Sequence, residues 1–138
     1  MCDDAWVLKE IGDFIYLLNC HAPDEKDVLQ RRFKKDMKSF KVLYELLGQL
    51  DGLGFDSAMK FGRDTKRIKT IVNNKHLSLI EIRVGKTLWR VITYVDDGKK
   101  VLVMIDAFEH HKAKSMNKAV EEVEGKVRIA MKLLEEVE

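Results

Sequence analysis

Between residues 29 and 50 the apolar positions Leu29, Phe33, Met37, Phe40, Leu43, Leu47 and Leu50 recur every three or four residues. That spacing places them on one face of a single long helix, with Arg31, Arg32, Lys34, Lys35, Lys38 and Lys41 away from the stripe. Pro23 marks the approach to this helix. Asp24 is expected to cap it, with Asp27 in its first turn, and Gly48, Gly52 and Gly54 are expected to stop it. Upstream, the continuous apolar run from Phe14 to Leu18 fits either a helix over 10–20 or a buried strand, and a short strand fits 6–8.

Beyond the glycines the period changes. Segments 68–72, 77–84, 87–95 and 100–108 are rich in Ile, Val, Leu and Thr. Asn73-Asn74, Gly85-Lys86 and Asp96-Asp97-Gly98 separate them as turns. Connections this short join antiparallel neighbours, because a parallel crossover needs a dozen or more residues. Segment 60–76 holds Lys60, Arg63, Lys66, Arg67, Lys69 and Lys75 against Asp64 alone. Its irregular spacing reads as a basic loop leading into a strand, either simply solvated or forming an RNA-facing rim. From 112 to 137 helical spacing returns, with Val120, Val123, Val127, Ala130, Met131 and Leu134 on one side. The predicted fold is therefore α+β: N-terminal helices packed on a small antiparallel β-meander, then a C-terminal helix. No repeat or linker divides the chain, so residues 1–138 are expected to form one domain.

A tight hairpin fixes which side chains share a face. If Gly85-Lys86 is a two-residue loop, Val84 pairs with Thr87, Arg83 lies opposite Leu88, and Glu81 lies opposite Arg90. Alternation then puts Leu79, Glu81, Arg83, Leu88, Arg90 and Ile92 on one face and Ile80, Ile82, Val84, Trp89, Val91 and Val95 on the core side. Two arginines and a glutamate thus project from the middle of a sheet. Arginine forks suit phosphate oxygens, whereas the plain structural alternative is a cross-strand Glu81–Arg90 ion pair. The last strand runs into His110-His111, followed by Lys112 and Lys114. Histidine can pass protons near neutral pH, and neighbouring cations favour a phosphate in the same place. A two-residue turn at Asp97-Gly98 sets Ile105 opposite Arg90, and a three-residue turn sets Asp106 there.

Composition narrows the classes. The chain has 138 residues, 46% hydrophobic and 35% charged, a globular balance. Its longest apolar runs are far short of a membrane span of about 20 residues, so no membrane partner is expected and cytoplasm is the default location. Cys2 and Cys20 are too few for a disulfide scaffold or a four-thiolate zinc site, and both read as inert thiols. The histidines lack metal-ligand spacing and the glycines match no phosphate loop, so neither metal nor cofactor is expected. The net charge of +2 hides an acidic stretch over 1–30 and a basic one over 31–50. The middle of the chain could therefore face a polyanion.

Taken together, Glu81-Ile82-Arg83, Trp89-Arg90-Val91-Ile92, Tyr94-Val95 and Val101-Leu102-Val103-Met104 through Ala107-Phe108 resemble the RelE/ParE toxin superfamily, nearest to its HigB-like, phage-derived branch. There a Glu-Leu-Arg strand turns into aromatic-Arg-Val-x-Tyr, a third strand ends in Gly-Phe-x-Lys-Lys, and a C-terminal helix follows. The resemblance covers roughly 25–138 in layout, leaving 1–23 as an N-terminal extension. It implies a RelE-like fold and the toxin of a type II toxin–antitoxin pair. Such a toxin cuts messenger RNA, usually on the ribosome and without metal, and is neutralised by a helix-turn-helix antitoxin. By position, Arg83 and Arg90 would hold the phosphate, and His110 or His111 would act as general acid or base. Lys112 and Lys114, with Lys60, Arg63 and Lys86, would contact RNA, and Glu81 would steady Arg90. Three family positions differ: the Lys-Lys pair is His110-His111, the glycine is Ala107, and the usual proline is Met116. The alternatives are a non-catalytic, ParE-like gyrase inhibitor or a degenerate RNA-binding member.

Overall fold

The computed structural model describes residues 6–20, 26–110 and 116–136. Its first elements are strands. β1 (Trp6–Glu10) and β2 (Ile15–Cys20) pair antiparallel, from Trp6 opposite Cys20 to Glu10 opposite Tyr16. The ambiguous apolar run is thus a buried strand, with Ile15 and Leu17 fully inaccessible. Cys20 is disulfide-bonded, which corrects the expectation of an inert thiol there. Cys2, Pro23 and Asp24 lie outside the described residues.

The expected long helix is broken in two. α1 (Val28–Arg32) is capped by Asp27, whose carboxylate accepts from the Gln30 backbone N–H while the Gln30 side chain accepts from the Asp27 N–H. α2 (Met37–Leu53) begins anew at Asp36, which accepts from the Ser39 N–H and hydroxyl at 3.2 and 2.7 Å. Asp36 also accepts from Trp89 Nε1 at 2.9 Å. The Ser39 and Trp89 hydrogen bonds hold its carboxyl below the usual range. Between the helices Phe33 turns inward and packs on Trp89, ring centroids 4.2 Å apart. Two aspartates suited to capping, and an indole N–H that needs a partner when buried, outweigh the continuous stripe.

Gly48 and Gly52 do not stop α2. Burial of Leu43, Leu46, Leu47 and Leu50 offsets the roughly 1 kcal/mol that each helical glycine costs. The helix ends at Gly54, where φ is +82°. α3 (Phe55–Asp64) follows, so the first part of the expected basic loop is helical. It lies so close to the sheet that a Cβ on Gly62 would meet the Ile68 side chain.

The strands β3 (Ile68–Asn73), β4 (Ser78–Arg83), β5 (Trp89–Asp96) and β6 (Val101–Glu109) form the expected antiparallel meander, and α4 (Met116–Glu135) closes the chain. The sheet is larger than that meander. It has six strands in the order β1-β2-β6-β5-β4-β3, and β2 runs parallel to β6. The whole stretch from α1 to β5 serves as the long connection that a parallel pair requires.

Both sheet faces are covered, which corrects the picture of one core side and one open side. Ile80, Ile82, Val91, Leu102 and Met104 pack under the α1–α3 layer. Leu79, Ile92, Val103, Ile105 and Phe108 pack against Ala119, Val123, Val127, Ala130 and Leu134 of α4. The layers are tied together at Asp106, which is 6% exposed. It sits on β6 beyond the residues that pair with β2, at a bulge where Ile105 is the extra residue. Arg32 of α1 grips it bidentately at 2.8 and 2.9 Å, and Lys126 of α4 approaches to 3.5 Å. Burial pushes the Asp106 carboxyl up, but Arg32, Lys126 and the Ala107 N–H together hold it below its ordinary 3.8.

A carboxyl whose folded value is lowered stabilises the protein above its unfolded value, and the contribution disappears as pH falls through the folded one. Asp106→Asn is therefore expected to lower stability at pH 7 by about 2 kcal/mol. In urea melts the gap between variant and wild type should close progressively below about pH 4. A gap that persists at pH 2 would remove the ionic explanation.

Candidate functional site

The β4–β5 hairpin turns through four residues, not two. Gly85 takes a left-handed φ of +58°. Thr87 then folds back, its N–H and hydroxyl donating to the Val84 carbonyl at 3.1 and 2.6 Å and its Oγ1 accepting from the Trp89 N–H at 3.1 Å. Thr87 is spent on the turn, so the strand starts at Trp89 and the register shifts by two. Arg83 lies opposite Arg90, and Glu81 lies opposite Ile92. A shift of two preserves the faces. Glu81, Arg83 and Arg90 therefore do share one face, the one carrying α4, while Leu88 is 51% exposed in the turn.

Two arginines directly opposite one another would repel, and Glu81 resolves this. Its Oε2 lies 3.2 Å from Arg83 Nε and 3.0 Å from Arg90 Nε, and the residue is 7% exposed. Arg90 also donates through Nη1 to the Thr87 and Trp89 carbonyls at 2.9 and 2.8 Å. Burial draws the Arg90 pKa down, Glu81 opposes that, and Arg83 adds to it. The guanidinium is held rigidly by backbone and carboxylate together. Arg83 is less enclosed and keeps donors beyond the single one engaged by Glu81.

These residues line an open pocket of about 290 Å³ together with Lys69, Thr70, Ile71, His110, Met116 and Asn117. His110 reaches it because its N–H donates to the Leu88 carbonyl at 2.7 Å, anchoring the end of β6 beside the hairpin. Neither register considered for the last hairpin is found. A turn at Asp97–Lys100 and the bulge at Ile105 set Phe108 opposite Arg90. Lys69 sits across from Glu81 on β3. It was visible in sequence only as one base of an irregular run; alternation along β3 from the core residue Ile68 is the signal that puts it on the face of Glu81.

The other expected residues are placed differently. Lys60 on α3 pairs with Asp64 at 3.0 Å, and neither it, Arg63 nor Lys86 lines the pocket. His111, Lys112 and Lys114 lie outside the described residues. Among the described residues no cluster of three or more His, Cys, Asp or Glu could hold a metal ion, and no helix is long and apolar enough to cross a membrane.

Removing Glu81 leaves two facing guanidinium groups half enclosed and unpaired. Glu81→Gln is expected to cost about 3 kcal/mol in chemical denaturation, and Arg83→Ala, at a more exposed position, about 1 kcal/mol. Equal costs would mean that the carboxylate is not the hub. The chain matches no family model, no curated protein and no solved structure, so these side chains are what its chemistry must be read from.

Proposed function

We propose that the protein is a metal-independent endoribonuclease, the toxin of a type II toxin–antitoxin pair. In this reading it acts in the cytoplasm on messenger RNA at the ribosome, and a helix-turn-helix antitoxin silences it. The observation that carries this reading is the convergence of Arg83, Arg90 and His110 on one pocket, drawn from two strands and a strand end. The resemblance of the 81–108 motifs to RelE/HigB toxins supports it. Arg83 and Arg90 bind the phosphodiester and stabilise the charge that grows on its oxygens. The ribose 2′-oxygen attacks the neighbouring phosphorus, the bond to the 5′-oxygen breaks, and a 2′,3′-cyclic phosphate and a 5′-hydroxyl result. One proton leaves the 2′-hydroxyl and one arrives at the 5′-oxygen. His110 carries one of these transfers. Glu81 does not touch RNA and fixes the arginines in place.

Glu81 also favours a second reading. It neutralises one of the two arginines, which suits a protein that binds RNA, or blocks gyrase, without cutting. Primer extension on messages translated in vitro separates the readings. The wild type is expected to cut, Arg83→Ala and Arg90→Ala to slow cutting about 100-fold or more, and His110→Ala about 100-fold. Intact messages with wild-type protein, or full activity of His110→Ala, would overturn the mechanism.

A further inference from the structure

Consecutive residues of a strand point to opposite faces of a sheet. Trp89 and Arg90 begin β5, and Glu109 and His110 mark the end of β6. Arg90 and His110 line the pocket on the α4 face. Trp89 and Glu109 line a second, larger pocket of about 600 Å³ on the other face, bounded by Arg31, Arg32, Lys34 and Lys35. The two pockets thus share the same strand ends as a common wall.

The charges of this second pocket are unequal in what they can offer. Arg32 is committed to Asp106. Asp36 lines the pocket too, but its oxygens are occupied by Ser39 and Trp89. Glu109 adds one further negative charge. Lys34 and Lys35 stand exposed in the turn between α1 and α2, with Arg31 beside them on α1. The break between α1 and α2 is what puts the lysines there.

We infer that this second pocket is a subsite for the phosphodiester backbone of single-stranded RNA. The strand whose reacting phosphate occupies the first pocket crosses the shared strand ends and seats a neighbouring phosphate on Lys34 and Lys35. The route of the strand rests on the endoribonuclease reading; the affinity of the second pocket for an RNA backbone does not.

The test uses the full chain and its Lys34→Ala/Lys35→Ala variant, with Lys99→Ala/Lys132→Ala as a control of equal charge change at exposed positions elsewhere. Binding of a labelled single-stranded RNA oligonucleotide is followed by fluorescence anisotropy against salt. Cleavage is followed on that oligonucleotide and on a dinucleoside monophosphate, too short to reach the second pocket. The Lys34/Lys35 variant is expected to bind the oligonucleotide about 10-fold more weakly, with a salt slope smaller by about 1.4. It should cleave the dinucleoside monophosphate as the wild type does, and the control pair should match the wild type throughout. An unchanged salt slope, or an equal loss in the control, overturns the subsite. A reduced slope in a protein that also leaves messages uncut during translation in vitro keeps the subsite and overturns the endoribonuclease reading instead.

Discussion

A sheet that is apolar on both faces can be buried on both faces only if every charge that alternation carries inside finds a partner there. An unpaired buried charge costs more than a buried side chain returns. Glu81 and Asp106 are the two places where this constraint bites. Glu81 sits between Arg83 and Arg90 on the α4 face. Asp106, at the β6 bulge, draws Arg32 from one layer and Lys126 from the other. Each carboxylate organises cations that would otherwise repel or drift. The apolar packing of Ile80, Ile82 and Val91 on one side, and of Leu79, Ile92 and Val103 on the other, can then close around them.

The same economy links fold to site. The hydrogen bond from Trp89 to Asp36 joins the start of β5 to the start of α2, and the His110 N–H joins the end of β6 to the hairpin. The strand ends that carry Arg90 and His110 are therefore braced from the helical layer and from the neighbouring turn. Preorganised donors of this kind are worth most where they meet developing charge, since they need not reorganise. Arg90 is fixed by three contacts, one to the Glu81 carboxylate that it shares with Arg83 and two to backbone carbonyls. Arg83 and His110 remain open enough to meet a ligand.

The sequence by itself determined the strands of the β3–β6 meander and the faces of β4 and β5. Period-two alternation from Leu79 to Val95 survives any even change of register, so Glu81, Arg83 and Arg90 had to share a face once both segments were strands. The C-terminal helix was equally legible, because Val120 to Leu134 follows helical spacing over several turns. Only the tertiary structure decided the rest. A hairpin loop of two or four residues depends on whether Thr87 folds back on Val84, and a helix over 29–50 is whole or broken according to whether Trp89 claims Asp36. The parallel pairing of β2 with β6 and the bulge at Ile105 likewise arise from contacts between residues far apart in the chain. Local propensity fixes which face a side chain takes, whereas what lies opposite it is set by partners that no local pattern records.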